Sequence, residues 1–315
     1  MRRDRLARQG FFRFLRLILL VIFIAGISAL IVSWPSNKTL ISPISSSLAD
    51  SDLPVADTKE VSGLANVLQN EFKDIKGDYA IVISNLKTRE SYSFNEHKVF
   101  ESGSLYKLWV MGEVYEQIRD GKLSEGQILS EEISVLNEKF KISSESAELT
   151  EGKIELPVNI ALQRMITISD NYSALLLTWK LRLSKVKAFL GAHGFMESKV
   201  GGADELPTTT AYDIALYFEQ LYKGELEDAD ITSKMIALLK GQKLNGKLPK
   251  YLPKGTIVAH KTGELGLITH DAGIIYSPKD DYIIVVLSET PRPADAEEKI
   301  AQISKAVYDY FQSKN

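Results

Sequence analysis

Strand-forming sequence lies on either side of a long helical middle in this 315-residue chain. Tyr79–Ser84 (YAIVIS) is a short, apolar, β-branched run that reads as a buried strand. Ser91–Phe94 pairs with it across a turn near Lys87 and Thr88. Three further strands come late, at Thr256–His260, Asp271–Tyr276 and Tyr282–Ser288. Helical periodicity runs from Leu105 to Lys122, Pro157 to Thr167 and Ser173 to Trp179. Thr208-Thr209-Thr210 opens another helix, which Gly224 stops. A stripe at Leu64, Val67, Leu68 and Phe72 marks a first helix, and one at Ile300, Ile303, Val307 and Tyr310 a last. Strands this far apart share one sheet only if the chain leaves it and returns. The expected fold is α+β: one antiparallel sheet flanked by the N- and C-terminal helices, with an inserted all-helical subdomain. A cleft between two such parts is a common ligand site.

The first residues read differently. Arg2, Arg3, Arg5, Arg8, Arg13 and Arg16 precede Leu17–Trp34, an uncharged 18-residue run. Such a helix spans about 27 Å, close to the hydrocarbon core of a bilayer. Basic residues on one flank predict a single-pass transmembrane anchor with residues 1–16 cytoplasmic and the rest of the chain outside the membrane. The rival is a cleaved signal peptide, for which Ser47-Leu48-Ala49 has a suitable pattern but lies far from the apolar run. Residues 35–58, with Pro35, Pro43 and Pro54, read as a linker to a domain over 59–315. The chain has no cysteine, which excludes a disulfide scaffold, an iron–sulfur cluster and a thiol nucleophile. Its four histidines show no metal-ligand spacing, and its net charge of −3 argues against a nucleic-acid partner.

Three short motifs fall on three elements. In Ser104-Leu105-Tyr106-Lys107, helical spacing brings a hydroxyl and an amine to one face. A neutral Lys107 could take the proton of Ser104, and free N–H groups at a helix start favour a developing oxyanion. In Ser169-Asp170-Asn171, a hydroxyl could relay a proton and an amide could bind a carbonyl, although all three residue types also cap helices. In Lys261-Thr262-Gly263, a cation and a hydroxyl suit a substrate carboxylate, and the glycine lets a substrate backbone approach the strand. An ordinary strand end is the plainer reading of that tripeptide.

In this order the three motifs resemble the penicillin-recognising serine hydrolases, and class A β-lactamases most of all. The resemblance runs from about Leu64 to Phe311 and includes Phe100-Glu101-Ser102-Gly103, Ile166-Thr167-Ile168 and Val258-Ala259-His260. It implies a β-lactamase/transpeptidase-like fold and a β-lactam or D-alanyl-D-alanine-type peptide as substrate, with no cofactor. Ser104 would be the acylated nucleophile and Lys107 its base. Ser169 would pass a proton to the leaving nitrogen, and Asn171 would hold the substrate side-chain amide. Lys261 and Thr262 would bind the carboxylate beside Gly263. The backbone N–H groups of Ser104 and Glu264 would form the oxyanion hole.

The sequence departs from class A enzymes in two places. Their E-x-x-x-N loop, which activates the deacylating water, has no counterpart between Asn171 and Thr208, where Glu197, Asp204 and Glu205 are the carboxylates. The arginine of the strand after the third motif is also missing. Ala272 stands near its place, and Lys247 or Lys250 is the substitute cation. Acylation needs only the three motifs, so a D-alanyl-D-alanine carboxypeptidase or a slow penicillin-binding enzyme is the alternative to a β-lactamase. A third alternative is a binding module that has lost activity. Oligomeric state is not readable.

Overall fold

The computed structural model describes residues 61–72, 76–202 and 205–314, within one compact unit, Ala56–Asn315. Five strands form one antiparallel sheet: β1 (Asp78–Asn85), β2 (Ser91–Phe94), β7 (Ile257–Leu265), β8 (Ile268–Tyr276) and β9 (Tyr282–Glu289). Their spatial order is β2-β1-β9-β8-β7, so the early hairpin and the three late strands do share a sheet. Ala80 faces Leu287 across the first–last pairing, and Lys261 faces Ala272 at the other edge. The β1–β2 turn is held by Asn85 Oδ1, which accepts from the backbone N–H groups of Lys87 and Thr88 at 3.0 and 2.9 Å.

Side chains along a strand alternate between faces, and here both faces are covered. Ile81, Ile83, Tyr282, Ile284 and Val286 meet the first helix, α1 (Val61–Phe72), and the last, α9 (Pro293–Ser313), through Leu64, Leu68, Ile300, Ile303, Val307 and Phe311. The opposite set, Ala80, Ile283, Val285 and Leu287, packs into the larger core with the middle of the chain. There α2 (Lys107–Arg119) is buried over most of its surface, including Leu108, Trp109, Val110, Met111 and Val114. Nine of its thirteen residues are buried, Lys107 and Glu113 among them, so the helix lies inside the protein although it carries charge. Around it stand α4 (Val158–Thr167), α5 (Asn171–Leu181), α6 (Leu183–Ala192), α7 (Ala211–Lys223) and α8 (Ala229–Lys240). Thr210 caps α7 by accepting from Asp213 N, and Gly224 ends it at φ 70°.

One sequence expectation needs correction. The inserted part is not all-helical: β4 (Ile128–Glu132) and β5 (Lys153–Pro157) form a ribbon joined through the short α3 (Ile133–Lys139). A second pair, β3 (Phe100–Glu101) with β6 (Thr208–Thr209), ties the entry to α2 to the start of α7. The expected anchor (17–34) and its flanking segments lie outside the described residues. Among the described residues no helix is long and apolar enough to cross a membrane.

Candidate active site

Ser104 lies in a 3₁₀ turn, Gly103–Tyr106, rather than inside an α-helix. Lys107 is the first residue of α2, and its N–H reaches back to Ser104 O. In a 3₁₀ turn residues i and i+3 eclipse, so Ser104 and Lys107 still share a face. The turn is fixed from several directions. Ser102 N donates to Pro207 O at 2.8 Å, and His270 Nε2 donates to Glu101 O at 2.9 Å. Its flank presses on β7. A Cβ on Gly103, at φ 47°, would lie 2.9 Å from Glu264 N, and one on Gly263 would lie 2.8 Å from Ser102 O. Glycine at both positions is what lets the backbone of β7 come this close.

Ser169 follows α4 with φ 58°, a conformation rare outside glycine and often held at functional sites. Asp170 caps α5, its Oδ1 accepting from Ser173 N at 2.6 Å. The capping reading of this tripeptide is therefore correct for Asp170 alone. Its two neighbours turn toward the lysines. Lys107 Nζ donates to Ser169 O at 2.6 Å, Ser169 Oγ at 3.2 Å and Asn171 Oδ1 at 2.8 Å. Lys261 Nζ donates to Ser169 Oγ at 3.0 Å and to Thr262 O at 2.7 Å. One residue from each motif thus meets at a single hydroxyl. Ser104 joins them through its turn, and no hydrogen bond links it to Lys107 Nζ.

Both lysines are fully buried. Burial lowers the Lys107 pKa to about 8, against the opposing pull of Asp170 and Glu148. Burial pushes Lys261 well down too, and the charge of Lys107 adds to the shift. Thr262 and Gly263 are buried on β7, while the Glu264 side chain is exposed and pairs with Lys247 Nζ. Lys247 is itself buried, so it is the cation that stands beside the third motif; Lys250 pairs instead with Glu298 at 2.6 Å. Ala272 is buried in the core opposite Lys261. Of the loop carboxylates, Glu197 bonds His97 at 2.8 Å, Glu205 lines an apolar cavity with Tyr106, Leu206 and Pro207, and Asp204 lies outside the described residues.

Three further residues join the site without having been singled out in the sequence. Glu148, on the loop before β5, accepts from Asn171 Nδ2 at 2.6 Å. It lies upstream of the second motif, outside the interval where a carboxylate was expected. His270 and Asp271 are polar residues within the buried strand β8, and that contrast is a signal the sequence does carry. Asp271 Oδ1 lies 2.8 Å from His260 Nδ1, and its Oδ2 accepts from Leu248 N at 3.0 Å. His260 Nε2 lies 3.0 Å from Asn245 Oδ1. These contacts fasten the segment that carries Lys247 to the strand that carries Lys261.

The profile of the Beta-lactamase enzyme family matches residues 63–311. The chain is 24% identical over 283 residues to β-lactamase VEB-1 of Pseudomonas aeruginosa, covering 82% of this chain and 94% of that one. Among solved structures it is similar to PBP-A, with a TM-score of 0.72, 21% identity and coverage of 82% and 97%. It is also similar to the TLA-3 extended-spectrum β-lactamase, with a TM-score of 0.70, 23% identity and coverage of 79% and 98%. The structural likenesses fit the α+β, β-lactamase/transpeptidase-like architecture. With the family profile spanning most of its length, the chain belongs to the Beta-lactamase enzyme family.

Proposed function

We propose that the protein is a membrane-tethered serine hydrolase that opens β-lactam rings through an acyl-enzyme on Ser104. The convergence of Lys107 and Lys261 on Ser169 Oγ carries this reading. In its neutral form Lys107 takes the Ser104 proton, and Ser104 Oγ attacks the lactam carbonyl carbon. The N–H groups of Ser104 and Glu264 hold the resulting oxyanion. As the carbon–nitrogen bond breaks, Ser169 gives its proton to the nitrogen and takes one from the ammonium of Lys107, which returns to its neutral form. The two lysines donating to Ser169 Oγ leave its own hydrogen free for this transfer. Lys261, Thr262 and Lys247 take the substrate carboxylate, and Asn171 takes the side-chain amide. A similar solved structure is an acyl-enzyme complex of a PBP-A variant with penicillin G. Its likeness supports the fold required and no more.

Hydrolysis of a chromogenic cephalosporin tests the reading. Turnover should fall at least a thousandfold, on the order expected for loss of a nucleophile, in Ser104→Ala. Undiminished turnover in that variant would overturn it.

A second reading, slow deacylation as in a penicillin-binding peptidase acting on D-alanyl-D-alanine ends, rests on one observation. Among the described residues of 172–207, no carboxylate is hydrogen-bonded to Ser169, Asn171 or either motif lysine. The lifetime of the adduct separates the two, seconds for the first and many minutes for the second. The tether is carried by Leu17–Trp34 and its six preceding arginines. Retention in the membrane pellet after alkaline extraction, with the domain open to external protease, is the expected result. Release by alkali would contradict it.

A further inference from the structure

We propose that Glu148 selects substrates that carry an ammonium group beside the amide carbonyl held by Asn171; this rests on the role given to Asn171 above. The Asn171 amide is gripped at both ends. Lys107 Nζ donates to its Oδ1 at 2.8 Å, and its Nδ2 donates to Glu148 Oε1 at 2.6 Å. The two contacts fix which end of the amide is oxygen and which is nitrogen. An amide nitrogen carries two hydrogens. One is taken by Glu148, which leaves one to meet a substrate carbonyl.

Glu148 therefore stands beside the slot where that carbonyl lies. It is exposed, on the loop before β5. Its bond is to an uncharged amide, so Asn171 does not cancel its negative charge. The motif cations offset this charge only in part: Lys107 interacts with Glu148 but is shared with Asp170, Ser169 and Asn171, Lys261 is engaged with Ser169 and Thr262, and Lys247 is paired with Glu264. Asp170 adds a second negative charge near Lys107. A substrate side chain with an ammonium a few bonds from its amide carbonyl meets attraction here, and one with a carboxylate meets repulsion. Penicillins bearing an α-amino group have this chemistry, and so do peptides whose penultimate segment ends in a free amine.

Three penicillins that differ at one carbon provide the test: ampicillin (α-ammonium), benzylpenicillin (neutral) and carbenicillin (α-carboxylate). Second-order acylation constants would be measured at low ionic strength and at a pH where the amine is charged. The expected order is ampicillin, benzylpenicillin, carbenicillin, with steps of about two- to fivefold, the range an exposed charge pair supports. Glu148→Gln should flatten the series and Glu148→Lys should reverse it. Added salt should narrow it in the wild type. A merely structural role for Glu148 would lower all three constants together and leave their order unchanged. An unordered series in the wild type, or an order that persists in Glu148→Gln, would overturn the inference while acylation itself stands. Failure of all three to acylate Ser104 would overturn the hydrolase reading, and this inference with it.

Discussion

A lysine ammonium with no exposed surface loses its hydration, and Lys107 regains only part of it from two carbonyl-type oxygens and a hydroxyl. Its pKa of about 8 follows from that balance. At pH 7 about one Lys107 in ten is then neutral and able to act as a base. Acylation should accordingly quicken about tenfold between pH 6 and pH 7 and level off above pH 8. A stopped-flow pH profile checks this, and one without an inflection between pH 7 and pH 9 would contradict the assignment of the base. The residues of the three motifs were legible because their types and order are distinctive. What the sequence hid was direction. Ser169-Asp170-Asn171 reads equally well as a helix cap, and the structure shows the two readings divided within one tripeptide, since Asp170 caps while its neighbours turn inward. Glu148 was hidden for another reason. A carboxylate on a polar loop, 23 residues before its partner, carries no periodicity and no motif.

Elements with strong apolar periodicity were the ones that could be read. The sheet strands were placed to within a few residues, and their faces follow from alternation. The β4–β5 ribbon was not, because its strands are largely exposed and charged: Leu129 and Leu156, which face each other, are the buried pair. Such a signal is too weak to distinguish from a loop. Helix packing shows a similar limit. Gly112, in the middle of α2, is the poorest helix former available there apart from proline. A Cβ at that position would lie 2.2 Å from the Phe189 ring of α6, so the glycine makes room for an aromatic. Gly112→Ala should lower the melting temperature by several degrees, since overpacking of about 1–3 kcal/mol outweighs the gain in helix propensity. A raised melting temperature would show that Phe189 moves aside freely.

His270 couples one element to another. Burial holds its pKa down at about 4. Its neutral ring donates to Glu101 O from Nε2 and accepts from Ser288 N at Nδ1, so protonation would set two donors against each other. The unfolded chain binds this proton near pH 6.5 and the folded chain near pH 4. Stability is therefore fully present above pH 6.5 and falls as the pH drops toward 4. The loss from this residue between pH 7 and pH 5 should be about 2 kcal/mol. Urea unfolding of the wild type and of His270→Gln, which keeps a donor and cannot be charged, would reveal it. Equal pH dependence in the two proteins would contradict the shift.

At the scale of the whole molecule, one strand pairing organises the rest. β1 lies against β9, which brings the first and last helices together on one face and leaves the other face to the middle of the chain. That arrangement sets β7 at the sheet edge, where Gly263 and Gly103 let the nucleophile turn rest against it. The general topology was readable from the strands on either side of the helical middle. The approach of turn to strand was not, because it depends on pairs of residues far apart in the chain. The central claim is that Ser104, positioned in this way, becomes covalently acylated. Intact-mass spectrometry of the protein mixed with benzylpenicillin, sampled from milliseconds to an hour, tests it most directly. The account predicts a transient or lasting gain of one penicillin mass that maps to Ser104 and is absent in Ser104→Ala. No adduct at any time while the penicillin remains intact, or an equal adduct in Ser104→Ala, would contradict it.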